Sequence, residues 1–249
     1  MKKTPKTIEG VVLILALVAC TFMSMRDAKR QKSLSFSYAE KMLIDKSDSV
    51  MYVLDVANPE DSVMLRELCL EIAPKDMRDW PYRLLKEKML ATVQSPRQGG
   101  VGIAGPQVGI PRRIIVVCRM DKPGEPYEVY PNVRIDSLYG EIGHGPEGCL
   151  SIPPYRGVVP RYESVIITYT DENTLLPVSD TVSGYTAIIF QHECDHLDGI
   201  LYPDRADTVF VDEAWKAERD SLAALGLYNR PAEIDLDGIL SSVRKKKGQ

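Results

Sequence analysis

Apolar residues fall along this chain with two different periods, and the switches between them mark its elements. Between Asp79 and Val93, the side chains of Leu84, Leu85, Met89 and Leu90 recur at helical spacing, which predicts an amphipathic helix. Ile114 to Val117 and Val165 to Tyr169 are rich in β-branched residues and bounded by proline, glycine and charge. Such runs suit a pleated, half-buried surface and predict strands. From Ser183 to Leu197 the pattern turns helical again, with Ala187, Ile188 and Phe190 apolar, and Val211 to Leu225 predicts a last helix. Gly99 to Gly109 is a glycine-rich turn. Residues 25–49 are polar and mixed in charge, which predicts a linker holding one helical turn or two, with the folded domain beginning near Tyr52. Helix, strands, then helix, without regular alternation, predict an α+β fold over a doubly wound sheet.

The two ends of the chain read differently from the middle. Lys2, Lys3 and Lys6 precede an apolar run from Val11 to Ala19, the length of a signal-peptide core and too short to span a bilayer alone. It ends in Leu17-Val18-Ala19-Cys20, which resembles a bacterial lipoprotein box, in which the cysteine is lipidated and the protein exported to a membrane surface. Two alternatives stand beside it. Gly10 to Met25 can act as a short anchor, with Arg26, Lys29, Arg30 and Lys32 keeping the domain cytoplasmic, or the leader is an unprocessed cytoplasmic extension. The chain thus divides into a leader with its signal or anchor, 1–20, a linker, 21–51, a folded domain, 52–226, and a polar basic tail, 227–249.

Composition narrows the function. With 44% hydrophobic and 27% charged residues the chain is an ordinary globular one with a real core. A net charge of −4 gives no general attraction to nucleic acid, and the basic run Arg244 to Lys247 reads as a solvated tail. The 5 cysteines are odd in number and widely spread, so they make no disulfide framework, and 2 of the 3 histidines fall within one short segment, which singles that segment out.

That segment is His192-Glu193-Cys194-Asp195-His196, an H-E-x-x-H within the helical pattern. Residues four apart share a helix face, so both imidazoles can reach one metal ion while Glu193 reaches a water on it; the bland alternative is a chance coincidence on a surface helix. A catalytic site of this kind needs a third ligand and an open position. Cys149, in Glu147-Gly148-Cys149-Leu150-Ser151, offers a thiolate suited to zinc or ferrous iron, although a lone buried cysteine is more often a core residue. In Gly100-Val101-Gly102-Ile103-Ala104-Gly105-Pro106-Gln107 the glycines allow close backbone approach and Gln107 offers an amide donor for a developing oxyanion; a tight turn is the alternative. Cys194 points off the ligand face and is assigned to packing, Asp195 either orients a ligand histidine or caps a turn, and His144 reads as a loop residue.

Taken in order, the three segments resemble the peptide deformylase family: G-x-G-x-A-A-P-Q with Gly105 replacing the second alanine, E-G-C-L-S, and Q-H-E-x-D-H from Gln191 to His196. The likeness runs through Val159-Pro160-Arg161 and Asp195 to Leu201 and covers Tyr52 to Arg205. It implies short antiparallel or mixed sheets around a central metal-binding helix. It also implies removal of the N-formyl group from formyl-methionyl peptides, usually with one Fe2+ per chain, Zn2+, Ni2+ or Co2+ being alternatives. By the same resemblance Cys149, His192 and His196 are ligands, and Glu193 is the base and acid for attack of an activated water on the formyl carbon. Gln107 and the Leu150 N–H would stabilise the oxyanion. Gly100, Val101, Gly102, Glu147, Gly148 and Arg156 would hold the peptide, while Ile188 and Ile189 would line the methionine pocket. Its partners would be formyl-methionyl peptides, including ribosome-associated nascent chains if the domain is cytoplasmic, with the membrane met through the N-terminus and no nucleic acid. Two rivals remain. One is a zinc endopeptidase, since the chain runs H-E-x-x-H-x-x-G-x-x-Tyr202 with Glu213 and Glu218 further on. The other is a catalytically silent lipoprotein that binds formyl-peptides.

Overall fold

The computed structural model describes residues 35–96 and 99–225. The leader with Cys20 and the tail beyond Leu225 lie outside the described residues, and no helix among the described residues is long and apolar enough to cross a membrane.

The first helix, α1 (Tyr38–Lys46), falls where composition predicted a linker. Ser37 and Glu40 close it with a reciprocal capping box: Ser37 Oγ accepts from the Glu40 N–H at 3.2 Å and Glu40 Oε2 from the Ser37 N–H at 2.7 Å. Few apolar residues dock it. Phe36 and Ile44 enter the core, and the buried Arg112 guanidinium grips Glu40 at 2.5 and 2.7 Å. The polar composition of this stretch reflects a helix held by that ion pair and by Lys88, whose ammonium donates to the carbonyls of Ile44 at 2.6 Å and Ser47 at 2.5 Å, so the fold begins before Tyr52. A short helix, α2 (Pro59–Met64), capped by Asn58, follows. Then comes α3 (Trp80–Val93), the amphipathic helix expected, which buries Tyr82, Leu85, Met89 and Val93. Leu84 and Leu90 flank that stripe and are only partly covered.

The predicted glycine turn contains a short strand, β1 (Gly102–Ala104), and a 3-10 turn, Gly105–Val108. β1 is an edge of a three-stranded antiparallel sheet with β2 (Ile114–Cys118) and β3 (Tyr127–Pro131), with Gly102 opposite Val117. A second sheet is built on two long strands, β4 (Arg134–Gly148) and β5 (Tyr155–Thr170). On the far edge of β5, β6 (Pro177–Ser183) pairs with its C-terminal half and β7 (Thr208–Val211) with its N-terminal half. Ser183 therefore ends a strand rather than opening a helix, and Val211 belongs to β7. His144 lies in β4, not in a loop, and pairs on the surface with Asp207 at 2.7 Å.

The central helix, α4 (Tyr185–Leu197), touches both sheets and is buried on most of its circumference, with Ala187, Ile189, Phe190, Cys194 and Leu197 entering the core and Gln191, Glu193, Asp195 and His196 buried beside them. The Gly184 φ of +69° lets the chain turn from β6 directly into α4. The last helix, α5 (Glu213–Ala224), starts after Asp212 because that carboxylate caps it, accepting from the Trp215 N–H at 3.0 Å. This is the α+β arrangement of short antiparallel sheets around a central helix that the sequence predicted.

Candidate metal centre and active-site cleft

One turn of α4 presents His192, Glu193 and His196 towards the end of β4, where Cys149 follows Gly148. Cys149 Sγ stands 3.3 Å from His196 Nε2, and the donor atoms of Cys149, His192 and His196 all lie within 4.8 Å of one another. Three soft or borderline donors converging on one point, in an almost dry setting, are the composition of a transition-metal or zinc site. The chain fixes the imidazole tautomer to match. Glu147 Oε2 takes the Nδ1 side of His192 at 2.8 Å, which leaves Nε2 to face the centre. Cys194 is buried on the opposite side and, as expected, packs in the core, where burial pushes its thiol pKa up.

The support continues outward as a chain of ionic hydrogen bonds. The Arg161 guanidinium, from β5 and 5% exposed, donates to Glu147 at 2.7 and 3.1 Å and to Asp195 at 2.6 Å. Arg205 adds two bonds of 2.7 Å to Asp195. Asp195 thus acts on the centre through Arg161 and Glu147, not by touching a histidine. Burial pushes the Glu147 carboxyl upward, but the bonds from His192 and Arg161 outweigh it and bring its pKa to about 2. Although Glu147 borders the cleft, both its oxygens are engaged in this network, so its contribution is to hold a ligand ring rather than a peptide. Gln191, two positions after Ile189 on α4, splices the helix onto β5 by accepting from the Tyr162 N–H at 3.0 Å and donating to its carbonyl at 2.8 Å.

Glu193 faces the same space from the other side. Burial raises its pKa to about 7, against the lowering influence of His192, and its Oε2 has no hydrogen-bond partner. A carboxyl that titrates near neutrality, buried and with one oxygen uncommitted, is suited to taking and returning a proton. Its neighbour is Gly102, where a Cβ would come within 2.5 Å of Glu193 Oε1, so only glycine lets β1 run this close. Gln107 is locked by its own turn: its Oε1 accepts from the Ala104 N–H at 2.8 Å. The amide nitrogen is thereby aimed at Ser151 Oγ, 3.2 Å away, and Cys149 Sγ, 3.5 Å away.

A cleft of about 540 Å³ opens over these groups. The glycine segment, Gly100 to Gly102, forms one wall with Gln107, and Glu147 to Leu150 forms the floor. Ile188 and Ile189 of α4 and Arg156 of β5 line it as well. All the residues expected to serve catalysis or substrate therefore come together, with His196 just beneath the surface. Sequence reasoning gave no role to Arg161, Arg205 or Ser151, and it missed a wall contributed by α5 through Trp215, Glu218, Arg219 and Leu222. Tyr202, the position that invited comparison with an endopeptidase, stacks beside the His192 ring at 6.2 Å between centroids, and neither Glu213 nor Glu218 belongs to the converging cluster.

An H-E-x-x-H helix set against antiparallel sheets, with a cysteine brought to it from the end of a distant strand, supplies the donor set that a hydrolytic metal site uses. The chain's relatives narrow the class. The sequence profile of the polypeptide deformylase family matches residues 53–210. Peptide deformylase 2 of a Nostoc species is 39% identical over 140 residues, 54% of this chain and 76% of that protein. Two solved structures align as well. The class I type b peptide deformylase of Acinetobacter baumannii with Met-Ala-Ser bound is 34% identical, with a TM-score of 0.53, over 63% of this chain and 98% of that one. The peptide deformylase of Synechococcus elongatus in complex with actinonin is 30% identical, with a TM-score of 0.56, over 74% and 94%. The chain belongs to the peptide deformylase family and is a hydrolase of that kind.

Proposed function

We propose that this protein removes the formyl group from the N-terminal formyl-methionine of peptides, releasing formate, with one ferrous ion held by Cys149, His192 and His196. The observation that carries the reading is the approach of Cys149 Sγ to His196 Nε2, 3.3 Å, with His192 alongside and Glu193 lining the same cleft. The donor set fits a divalent metal: a thiolate and two imidazoles, one of them held in the ligating tautomer by Glu147. Such an ion, when bound, would acidify a water and polarise the formyl carbonyl.

The remaining work falls to the chain. Glu193 takes the proton of the attacking water and delivers it to the departing amine, a task that suits its pKa near neutrality. The Gln107 amide, oriented by the Ala104 N–H, and the backbone N–H of Leu150 face the charge that develops on the former formyl oxygen. The cleft-facing edge of β1 at Gly102, with Gly100 and Val101 before it, pairs the peptide backbone in extended form, as strand addition requires. Gly148 lets the peptide lie close to the floor, Arg156 holds it, and Ile188 and Ile189 receive the methionine side chain. The Met-Ala-Ser bound to the Acinetobacter relative supports a peptide of this kind as the ligand.

The test is formate release from formyl-Met-Ala-Ser by protein reconstituted with Fe2+. Metal-loaded protein that releases none overturns the reading and favours the silent binder. Loss of metal in Cys149→Ala is expected, and full occupancy in that variant would restore the endopeptidase alternative. The leader supports a second, independent proposal, that the enzyme sits at a membrane surface through lipidated Cys20. Incorporation of a labelled lipid precursor, abolished by Cys20→Ser, is the expected result, and an unlabelled chain overturns it.

A further inference from the structure

Helix α5 takes no part in the chemistry proposed above, yet one of its faces lines the cleft. Trp215, Glu218, Arg219 and Leu222 recur at i, i+3, i+4 and i+7, and all four line the cavity. This wall is fastened to the site at several points. The Asp212 N–H donates to the carbonyl of Pro154, in the turn that follows Cys149, at 2.9 Å. Asp212 caps α5 with one oxygen and holds Arg156 Nε at 2.5 Å with the other. The guanidinium carbons of Arg156 and Arg219 lie 5.7 and 5.4 Å from the centre of the Trp215 ring. The indole edge also meets the cleft floor, for a Cβ placed on Gly148 would lie 3.3 Å from Trp215 Cζ3.

Two features decide what such a wall recognises. Its ionisable groups balance, with Asp212 and Glu218 set against Arg156 and Arg219, so it offers no net charge to a ligand. What it does offer is the half-buried indole, held in place by its two arginines, and the partly covered Leu222 one helical turn beyond Glu218. Gly148, next to Cys149, lies against the edge of the Trp215 ring, so a peptide held over Gly148 would pass that ring. We infer that Trp215 and Leu222 form a side-chain subsite for a peptide residue downstream of the formyl-methionine, one that takes apolar or aromatic side chains and makes α5 a determinant of substrate choice. The inference rests on the reading of the protein as a formyl-peptide hydrolase.

The experiment compares kcat/KM for formyl-Met-Phe-Ser and formyl-Met-Leu-Phe against formyl-Met-Ala-Ser. Wild-type protein should prefer the bulky peptides by about five- to tenfold, the discrimination a half-open apolar wall can supply. In Trp215→Ala the ratio should fall to within about twofold, and Trp215→Phe should restore most of it. A role confined to bracing Arg156 would lower the rates of all three peptides together and leave the ratio intact; that result overturns the subsite while the formyl-peptide reading stands. No formate from any peptide overturns both.

A second measurement does not depend on turnover. The chain has 2 tryptophans, so Trp80→Phe leaves Trp215 as the only indole emitter. Titration with the unformylated Met-Phe-Ser should shift its emission more than Met-Ala-Ser does, and identical spectra with both would refute the subsite. Should Trp215→Ala fail to fold, Leu222→Ala in the ratio assay and the Trp80→Phe titration decide.

Discussion

The two walls of the cleft are built by opposite means. The inner one, from β1, α4 and the Glu147–Leu150 floor, consists of side chains almost wholly removed from water and tied by short ionic hydrogen bonds in series, from His192 through Glu147 and Arg161 to Asp195. The outer one is a single surface helix held by a half-exposed ion pair, one backbone hydrogen bond and ring contacts. Buried polar networks are costly to leave half satisfied, so a change in the inner wall propagates to the reacting centre. A surface pair exchanges its partner for water at little cost, so the outer wall can vary without disturbing the chemistry. The lesson is a division of labour between making the reaction possible and selecting what undergoes it.

That contrast can be broken most sharply at Glu193. Glu193→Gln should lower kcat by about 10²–10⁴-fold with metal content unchanged, since it removes proton transfer and leaves the donors in place. Formate assays with parallel metal analysis check it, and a change below tenfold would remove Glu193 from the reaction. Gln107→Ala should cost about 10²–10³-fold in kcat with little effect on KM, the loss expected of one oxyanion donor. Next comes Glu147→Gln, which leaves His192 without its anionic partner and should weaken metal affinity by about 10–100-fold in chelator competition. The outer wall should respond far less. Asp212→Asn is expected to raise KM for a tripeptide only about two- to fivefold, with kcat kept.

Acidification gives a finer version of the last test. The Trp215 N–H and Arg156 hold the Asp212 carboxyl below the ordinary carboxylate range. Its contribution is therefore complete above that range and is lost as pH falls through the lowered value in the folded protein. In Trp80→Phe protein, Trp215 emission should stay constant from neutrality down to the carboxylate range and change only below it, and in the Asp212→Asn background that step should vanish.

The inner wall was far more legible in the sequence than the elements around it. His192, Glu193 and His196 share a helical face by spacing alone, and that helix is where the apolar period placed it. Cys149 and Gln107 carried weak signals singly and gained meaning only from motif order. By contrast β4 gave no strand signal, because most of its length is exposed and interrupted by Gly140, Gly143 and Gly145; its long pairing with β5 is imposed from across the sheet. Helix α1 was legible only as one helical turn or two within a linker, for a related reason, since a buried arginine, Arg112, does much of the holding that apolar residues usually do. Arg161 stood within the family likeness, but nothing local announces that a charged strand residue will be buried between two carboxylates. Helix α5 was foreseen as a helix, yet its functional face mixes indole, charge and leucine, and no hydropathy pattern marks that as a wall.

Asp195 sits on the same turn of α4 as both imidazoles and is clasped by arginines from β5 and from the segment beyond Tyr202. The cradle is thus stiffened from behind, by groups that need no cation to complete their bonding. A metal ion bound there would meet a shape already set, so protein with and without it should share one backbone.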